Sequence, residues 1–323
     1  MKKSLALCFA ALTMLAAASS ASADDYPSKA IRWLVPYAAG GGSDFLARTV
    51  GVPLSERIKQ PVLIENKPGG STAIAAAEVA RSPADGYTVL SADNGTMVFN
   101  TALYKSLSYN PTTDLAPVTL MGRFPMILVA GPDTDFKDAK DFIAKAKAKE
   151  GGFNYASAGA GSPHHLAMEL LMVEAGIKMT HAPYRGAAPA LQDLVGGQIP
   201  VMMVDMAAGS GFINAGKVRP LAVANATRLA QLPDVPTFAE IGLKNVDAAA
   251  LVGLVVPAAT PPATIDTLNK LVVATINDPA VNQKMKDFGI EPVGDTAAEF
   301  GALLKSETIR WHKLIKDLGI TLE

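Results

Sequence analysis

Cysteine is almost missing from this chain of 323 residues, and Cys8 is the single copy. Without a second thiol there is no intrachain disulfide and no thiolate metal site. Histidine is nearly as scarce, with four copies, of which His164 and His165 are neighbours. On a helix such neighbours point about 100° apart, so they cannot act as an i, i+4 metal pair. No third residue stands at metal-ligand spacing. Excess charge of either sign is lacking too: 29 Lys and Arg face 30 Asp and Glu. With no basic patch, nothing favours a nucleic-acid partner. Past residue 23 no uninterrupted apolar stretch is long enough to span a bilayer.

The first 23 residues are different. Lys2 and Lys3 precede an apolar run over residues 5–18, and Ala21, Ser22 and Ala23 fit a small-residue cleavage site. This is a secretory signal peptide, with cleavage expected after Ala23 and a mature chain starting at Asp24. Cys8 leaves with it. A lipoprotein reading around Cys8 is poor, because Leu7 is bulky where a small residue is wanted. Removal of the two lysines leaves 27 basic against 30 acidic residues, a net charge of −3. The expectation is an exported protein with room for two domains.

What the chain does have is glycine, placed behind apolar strands. Residues 31–44 read IRWLVPYAAGGGSD: an apolar run, three glycines, Ser43 and Asp44, then an apolar-periodic segment. The pattern predicts a buried strand, a tight turn and a helix start. Glycine lets a bound group approach bare N–H donors. The helix behind adds unpaired N–H groups and a partial positive charge, so the turn reads as an anion seat.

Leu46, Val50, Leu54 and Ile58 then repeat every four residues, as one face of a helix would. Pro53 is expected to kink or split that helix. A strand at 62–65, a glycine turn at 68–71, a helix at 73–81 and a strand at 87–92 follow, which argues for a parallel sheet with crossover helices. The same order then restarts. Residues 126–130 form a strand, 138–149 a lysine-rich helix with a solvated face, and 154–157 a strand. A second glycine turn covers 158–162, and a helix with Pro163 in its first position runs to Ala175. Strands near 179–182, 199–205 and 221–224, a helix over 187–195, a strand at 251–256 and helices at 263–277, 280–288 and 297–318 complete the chain. Two glycine-turn strand ends facing each other would make a cleft with an anion seat on each wall.

Competing motifs fail on spacing. Neither turn completes G-x-G-x-x-G, since the third glycine would fall at Phe45 or His164, and a P-loop lysine is missing. The simplest alternative for both loops is two tight turns with no ligand. Ser157 with His165 and Asp205 offers a secreted serine hydrolase, but G-x-S-x-G would need glycine where Tyr155 stands. Met202, Met203 and Met206 read as core filling. One of the paired histidines is expected in the cleft and the other at the surface or on the helix cap.

The chain resembles the periplasmic solute-binding proteins of tripartite tricarboxylate transporters, the Bug family. The likeness rests on VPYAAGGGSD at 35–44, ENKPGG at 65–70, ADGYTVL at 84–90, NYASAGAGSPHHLAMEL at 154–170, PYRGAAPAL at 183–191, GGQIPVMM at 196–203, AGKVRPLAV at 215–223 and LPDVPTFAEIGL at 232–243. It covers the whole mature chain. It implies an α/β, two-lobed type II periplasmic-binding-protein fold, with lobe 1 at 24–124 and 246–323 and lobe 2 at 125–245. By the same resemblance one wall of the ligand cleft is Tyr37, Ala38, Gly41, Gly42, Ser43 and Asp44. The other is Ser157, Ala158, Gly161, Ser162 and His165, with Thr96, Tyr184 and Asp205 towards the floor. Departures from the family pattern at Met97, Phe99, Met206 and His164 suggest a less polar far end. Arg123 and Arg185 are the basic residues considered for a second carboxylate. The expectation is therefore a monomeric, non-enzymatic periplasmic binder of a small mono- or dicarboxylate, without cofactor or metal, that serves membrane transporter subunits. The alternatives are the Ser157 hydrolase and a ligand-binding component of a signalling system.

Overall fold

A computed structural model describes residues 26–149 and 151–322. The expected signal peptide and its expected cleavage site lie outside the described residues. Strands β1 (Ile31–Val35), β2 (Val62–Asn66) and β3 (Thr88–Asp93) pair in parallel in the order β2-β1-β3. Helices α1 (Gly42–Ile58) and α2 (Ala73–Ala80) are their crossovers, as the alternation of patterns required. Pro53 lies inside α1 without splitting it. The helix loses one rung there, but Leu46, Val50 and Leu54 are buried on the sheet, and packing holds what local propensity would break.

A π-helical turn (Gly95–Phe99) and a short helix α3 (Asn100–Leu103) lead to β4 (Leu115–Ala130). The sequence pattern indicated only the last part of this strand, 126–130. Pro117 and Pro125 hid the rest, because proline removes a ladder donor. Pro117 sits where the register slips against the partner strand, and Pro125 where β4 changes partners. The second lobe continues through α4 (Ala139–Ala148), β5 (Asn154–Ser157), α5 (Pro163–Ala175), β6 (Thr180–Pro183), α6 (Ala187–Val195), β7 (Val201–Val204), α7 (Met206–Asn214) and β8 (Arg219–Ala224). Helix α7 was not apparent in the sequence: Gly209 and Gly211 lower its propensity, and Asp205 starts it by capping the Ala208 N–H. Met202, Met203 and Met206 are core residues, as expected.

The chain returns through β9 (Ala249–Pro257) and finishes with α8 (Pro262–Ile276), α9 (Pro279–Asp287), β10 (Glu291–Pro292) and α10 (Ala297–Asp317). Strand β4 joins the two lobes. Its first part pairs antiparallel with β9 from Leu115 and Pro257 to Pro125 and Ala249, and its second part pairs with β7 and β8. At the junction Ala248 donates to Ala224 O and accepts from Met126 N–H, both at 3.0 Å. The result is the two-lobed arrangement of type II binding proteins, with the glycine turns at the carboxyl ends of β1 and β5.

Strand β9 is buried along its whole length and carries α10 on Gly253. A Cβ there would lie 2.2 Å from Phe300 Cζ and 2.9 Å from Thr119 O. Gly253→Ala should therefore cost about 1–3 kcal/mol by overpacking. A urea titration should show the midpoint fall with an unchanged slope.

Candidate functional site

The first helical bond of α1 runs from Phe45 N–H to Gly41 O at 2.9 Å, so the N–H groups of Gly42, Ser43 and Asp44 precede the ladder. The Asp44 carboxylate turns back into its own loop. It accepts from Gly40 N–H at 3.0 Å, Asn66 Nδ2 at 2.9 Å and Arg48 Nε at 3.0 Å. Burial alone would raise its pKa, but these three partners hold it below the usual carboxylate value. Asp44 therefore shapes the turn from inside.

The second turn uses most of its donors internally. Gly159 N–H reaches Ser157 Oγ at 3.1 Å, Ser162 N–H reaches Gly159 O at 3.1 Å, and Gly161 N–H reaches His165 Nδ1 at 3.1 Å. Gly161 sits at φ +72°, where glycine is favoured. Ser157 is fully buried beneath the turn, 2.6 Å from His181 Nε2, and the His165 ring stacks on His181 at 3.9 Å. Of the places expected for the paired histidines, His164 takes the cleft and His165 the amino end of α5, where its Nδ1 accepts from Gly161 N–H, and neither faces solvent because both are buried. The hydrolase grouping is likewise not assembled: Ser157 meets His181, while Asp205 meets His164.

Burial, with a smaller contribution from His165, pushes the His181 pKa down to about 3. Its unfolded value is about 6.5, so between pH 6.5 and 3 the unfolded chain binds the extra proton. Stability should hold above pH 6.5 and fall as the pH drops through this window, by up to about 1.4 kcal/mol per pH unit for one proton. Chemical denaturation from pH 7 to 4 should show this slope, and His181→Gln should flatten it.

Two cavities open between the lobes, and Tyr37 and Ala158 line both. The outer one holds about 410 Å³ between a wall of Tyr37 and residues 69–72 and a wall of residues 158–160, Ser162 and 183–185. The inner one holds about 30 Å³, and Gly41, Gly42, Ser43, Asp93, His164, Ala187 and Asp205 face it. The amino ends of α1, α5, α6 and α7 reach it through Gly42, His164, Ala187 and Asp205, so the partial positive ends of four helices gather round one small space. Opposing them are two buried carboxylates. Asp93 accepts from Tyr37 OH at 2.5 Å and from Thr96 N–H at 2.8 Å. Burial first, and then the Asp93 charge, hold the Tyr37 phenol well above its ordinary pKa.

The cleft is closed. Ala38 N–H donates across it to Arg185 O at 3.1 Å, and a Cβ on Gly42 would come within 2.5 Å of Asp205 Oδ1. Of the residues expected at the site, Tyr37, Gly41, Gly42, Ser43, Ala158 and Asp205 meet at the inner cavity, and Ser162 and Tyr184 line the outer one. Ala38 joins the walls. Asp44, Thr96, Ser157, Gly161 and His165 support them from behind. Arg185 is exposed beside the outer cavity. Arg123 is not at the cleft: it bonds Asn225 at 2.8 Å, and Asp247 and Glu291 at 3.0 Å, where β4 passes between lobes. Residues 69–72 and Asp93 were not anticipated. Asp93 closes the apolar strand β3, and a buried acid at a strand's carboxyl end was the signal available.

The family model described as "Tripartite tricarboxylate transporter family receptor" matches residues 46–320. The chain is similar to protein BugT of Bordetella pertussis, 32% identical over 95% of this chain and 94% of that protein. The R. palustris protein Rpa4515, solved with adipate, superposes with a TM-score of 0.90 at 33% identity, covering 92% of this chain and 100% of that one. MatC from Rhodopseudomonas palustris, solved with bound malate, gives 0.86 at 30% identity over 90% and 100%. No helix among the described residues is long and apolar enough to cross a membrane. The chain therefore belongs to the tripartite tricarboxylate transporter family of receptors.

Proposed function

We propose that this protein captures a small organic carboxylate between its lobes, outside the cytoplasm, and delivers it to a membrane transporter of the tripartite tricarboxylate type. The observation that carries this reading is the outer cavity of about 410 Å³, which pairs the Arg185 charge with glycine-rich backbone on both walls. The adipate and malate of the two similar structures belong to the same ligand class. Tyr37, Ala38, Gly41, Gly42, Ser43, Ser162, Tyr184 and Asp205 form the enclosing surface. Asp44, Thr96, Ser157, Ala158, Gly161 and His165 complete or hold it. The acid gains most once closure excludes water and strengthens each hydrogen bond.

A thermal-shift panel of acetate, succinate, malate and adipate, with glucose as control, tests this. A ligand at about 100 Kd should stabilise the folded state by about 2.7 kcal/mol. The ligand should be recovered unchanged on chromatography. Cleavage of an ester, abolished by Ser157→Ala, would replace the receptor reading with the hydrolase.

A further inference from the structure

We propose that Asn100 is a positioning residue for the ligand cleft: it holds the strained turn at Ser71 and Thr72, which walls the outer cavity, in the form that receives the ligand. The inference rests on the carboxylate-receptor reading and names a residue that acts from behind its site. Ser71 lies at φ +48° and Thr72 at φ +77°, both left-handed without being glycine. For a β-branched residue such as Thr72 this is an outlier, and it persists only where the surroundings impose it. Gly69 and Gly70 stand directly before, so the turn already contains glycine and yet keeps two side chains where glycine would be free of strain. Both residues line the outer cavity.

Asn100 supplies the constraint. It is fully buried at the start of α3, directly after the π-helical turn. Its Nδ2 donates to Ser71 O at 2.7 Å and reaches Tyr109 OH at 3.1 Å and Thr72 Oγ1 at 3.3 Å. Ser71 O can only accept, so this bond fixes which end of the amide is the donor. The Thr72 hydroxyl also lies 3.0 Å from Thr96 Oγ1, which donates to Asp93 Oδ1 at 2.9 Å, and Asp93 in turn holds Tyr37. The strained turn is thereby wired to the phenol that lines both cavities. The other end of Asn100 faces the opposite lobe. Its Oδ1 is buried without a hydrogen-bond partner among the described residues, and a Cβ on Gly161 would stand 2.9 Å from it. Gly95, in the π-helical turn, meets the same loop, since a Cβ there would lie 2.8 Å from Gly161 O. Asn100 thus sits where the two walls of the closed cleft meet, and locks one of them by its side chain.

Isothermal titration with succinate, malate and adipate tests this on Asn100→Ala and Asn100→Asp, each with and without Ser71→Gly. Without the Nδ2 donor the turn relaxes towards ordinary φ, and the ligand has to drive it back. Asn100→Ala should therefore weaken the acid that binds by about tenfold. Asn100→Asp keeps the shape without the donor and should do the same. Glycine adopts positive φ readily, so Ser71→Gly added to either variant should recover about threefold or more, and the double-mutant cycle should be non-additive. A merely structural Asn100 would give no such rescue. A folded Asn100 variant with wild-type affinity overturns the proposal. So does a Ser71→Gly that shifts affinity by the same factor with and without Asn100, or a loss of folding that Ser71→Gly fails to repair. Failure of the wild type to bind any of the acids would instead overturn the receptor reading.

Discussion

Gly42→Val should leave the protein folded but make closure on its ligand less favourable. Gly42 is the first residue of α1 and is outside the left-handed region, so valine is tolerated locally. The conflict lies across the cleft: a Cβ would stand 2.5, 2.9 and 3.0 Å from Oδ1, Cγ and Oδ2 of Asp205. That carboxylate is tied to Ala208 N–H and His164, so it cannot swing aside without giving up both. The clash belongs to the closed arrangement, and parting the lobes would relieve it. An overpacking cost of about 1–3 kcal/mol then appears as weaker binding, about fivefold to about 150-fold in Kd. With hinges proposed at 122–125 and 247–252, small-angle scattering should show the wild type contract at ligand concentrations that leave the variant extended, and the variant should need about fivefold to 150-fold more ligand. Gly161→Val should differ, because it forces φ +72° and brings a Cβ 2.9 Å from Asn100 Oδ1, and so should lower the melting temperature as well. Normal affinity and normal contraction in Gly42→Val would dismiss this seam as the closing contact.

The same residues show how much could be read before the structure. The strand-turn-helix at Ile31–Val35 and Gly42–Ile58 was legible, since apolar run, glycines and helical period are all local signals. The second turn was legible as a turn, but not its internal wiring. That Ser157 lies against His181 depends on β5 and β6 being neighbours in the sheet, whereas the bond from Gly161 N–H to His165 is local to the helix start. Crossing strand β4 was half hidden because a proline there normally argues against a strand, and only the partner change at Pro125 explains its place. Arg123 illustrates the remaining gap. Its charge suggested a ligand, whereas Asp247 and Glu291, both far off in sequence, make it part of the lobe junction.

Arg185→Ala should separate dicarboxylates from monocarboxylates. Arg185 meets the opposite lobe through its main-chain oxygen, which accepts from Ala38 N–H at 3.1 Å, so truncation of the side chain leaves that bond in place. Arg185 is exposed beside the outer cavity, within the closed cleft, where its guanidinium is placed to meet a second carboxylate. Charge-assisted bonds of this type are worth about 1.5–3 kcal/mol when shielded, and less where water still screens them. Dicarboxylate affinity should therefore fall about tenfold, with a monocarboxylate changed less than about threefold. Arg185→Lys should recover only part of the loss, because a single ammonium cannot reproduce the two-pronged geometry. Wild-type affinity for the dicarboxylate should weaken with added salt, and the alanine variant should respond less. Arg123→Ala is the contrast: it removes bonds to Asp247 and Glu291 at the junction and should shift all ligands alike. Equal losses for mono- and dicarboxylates in Arg185→Ala, or selective loss in Arg123→Ala, would reverse these two assignments.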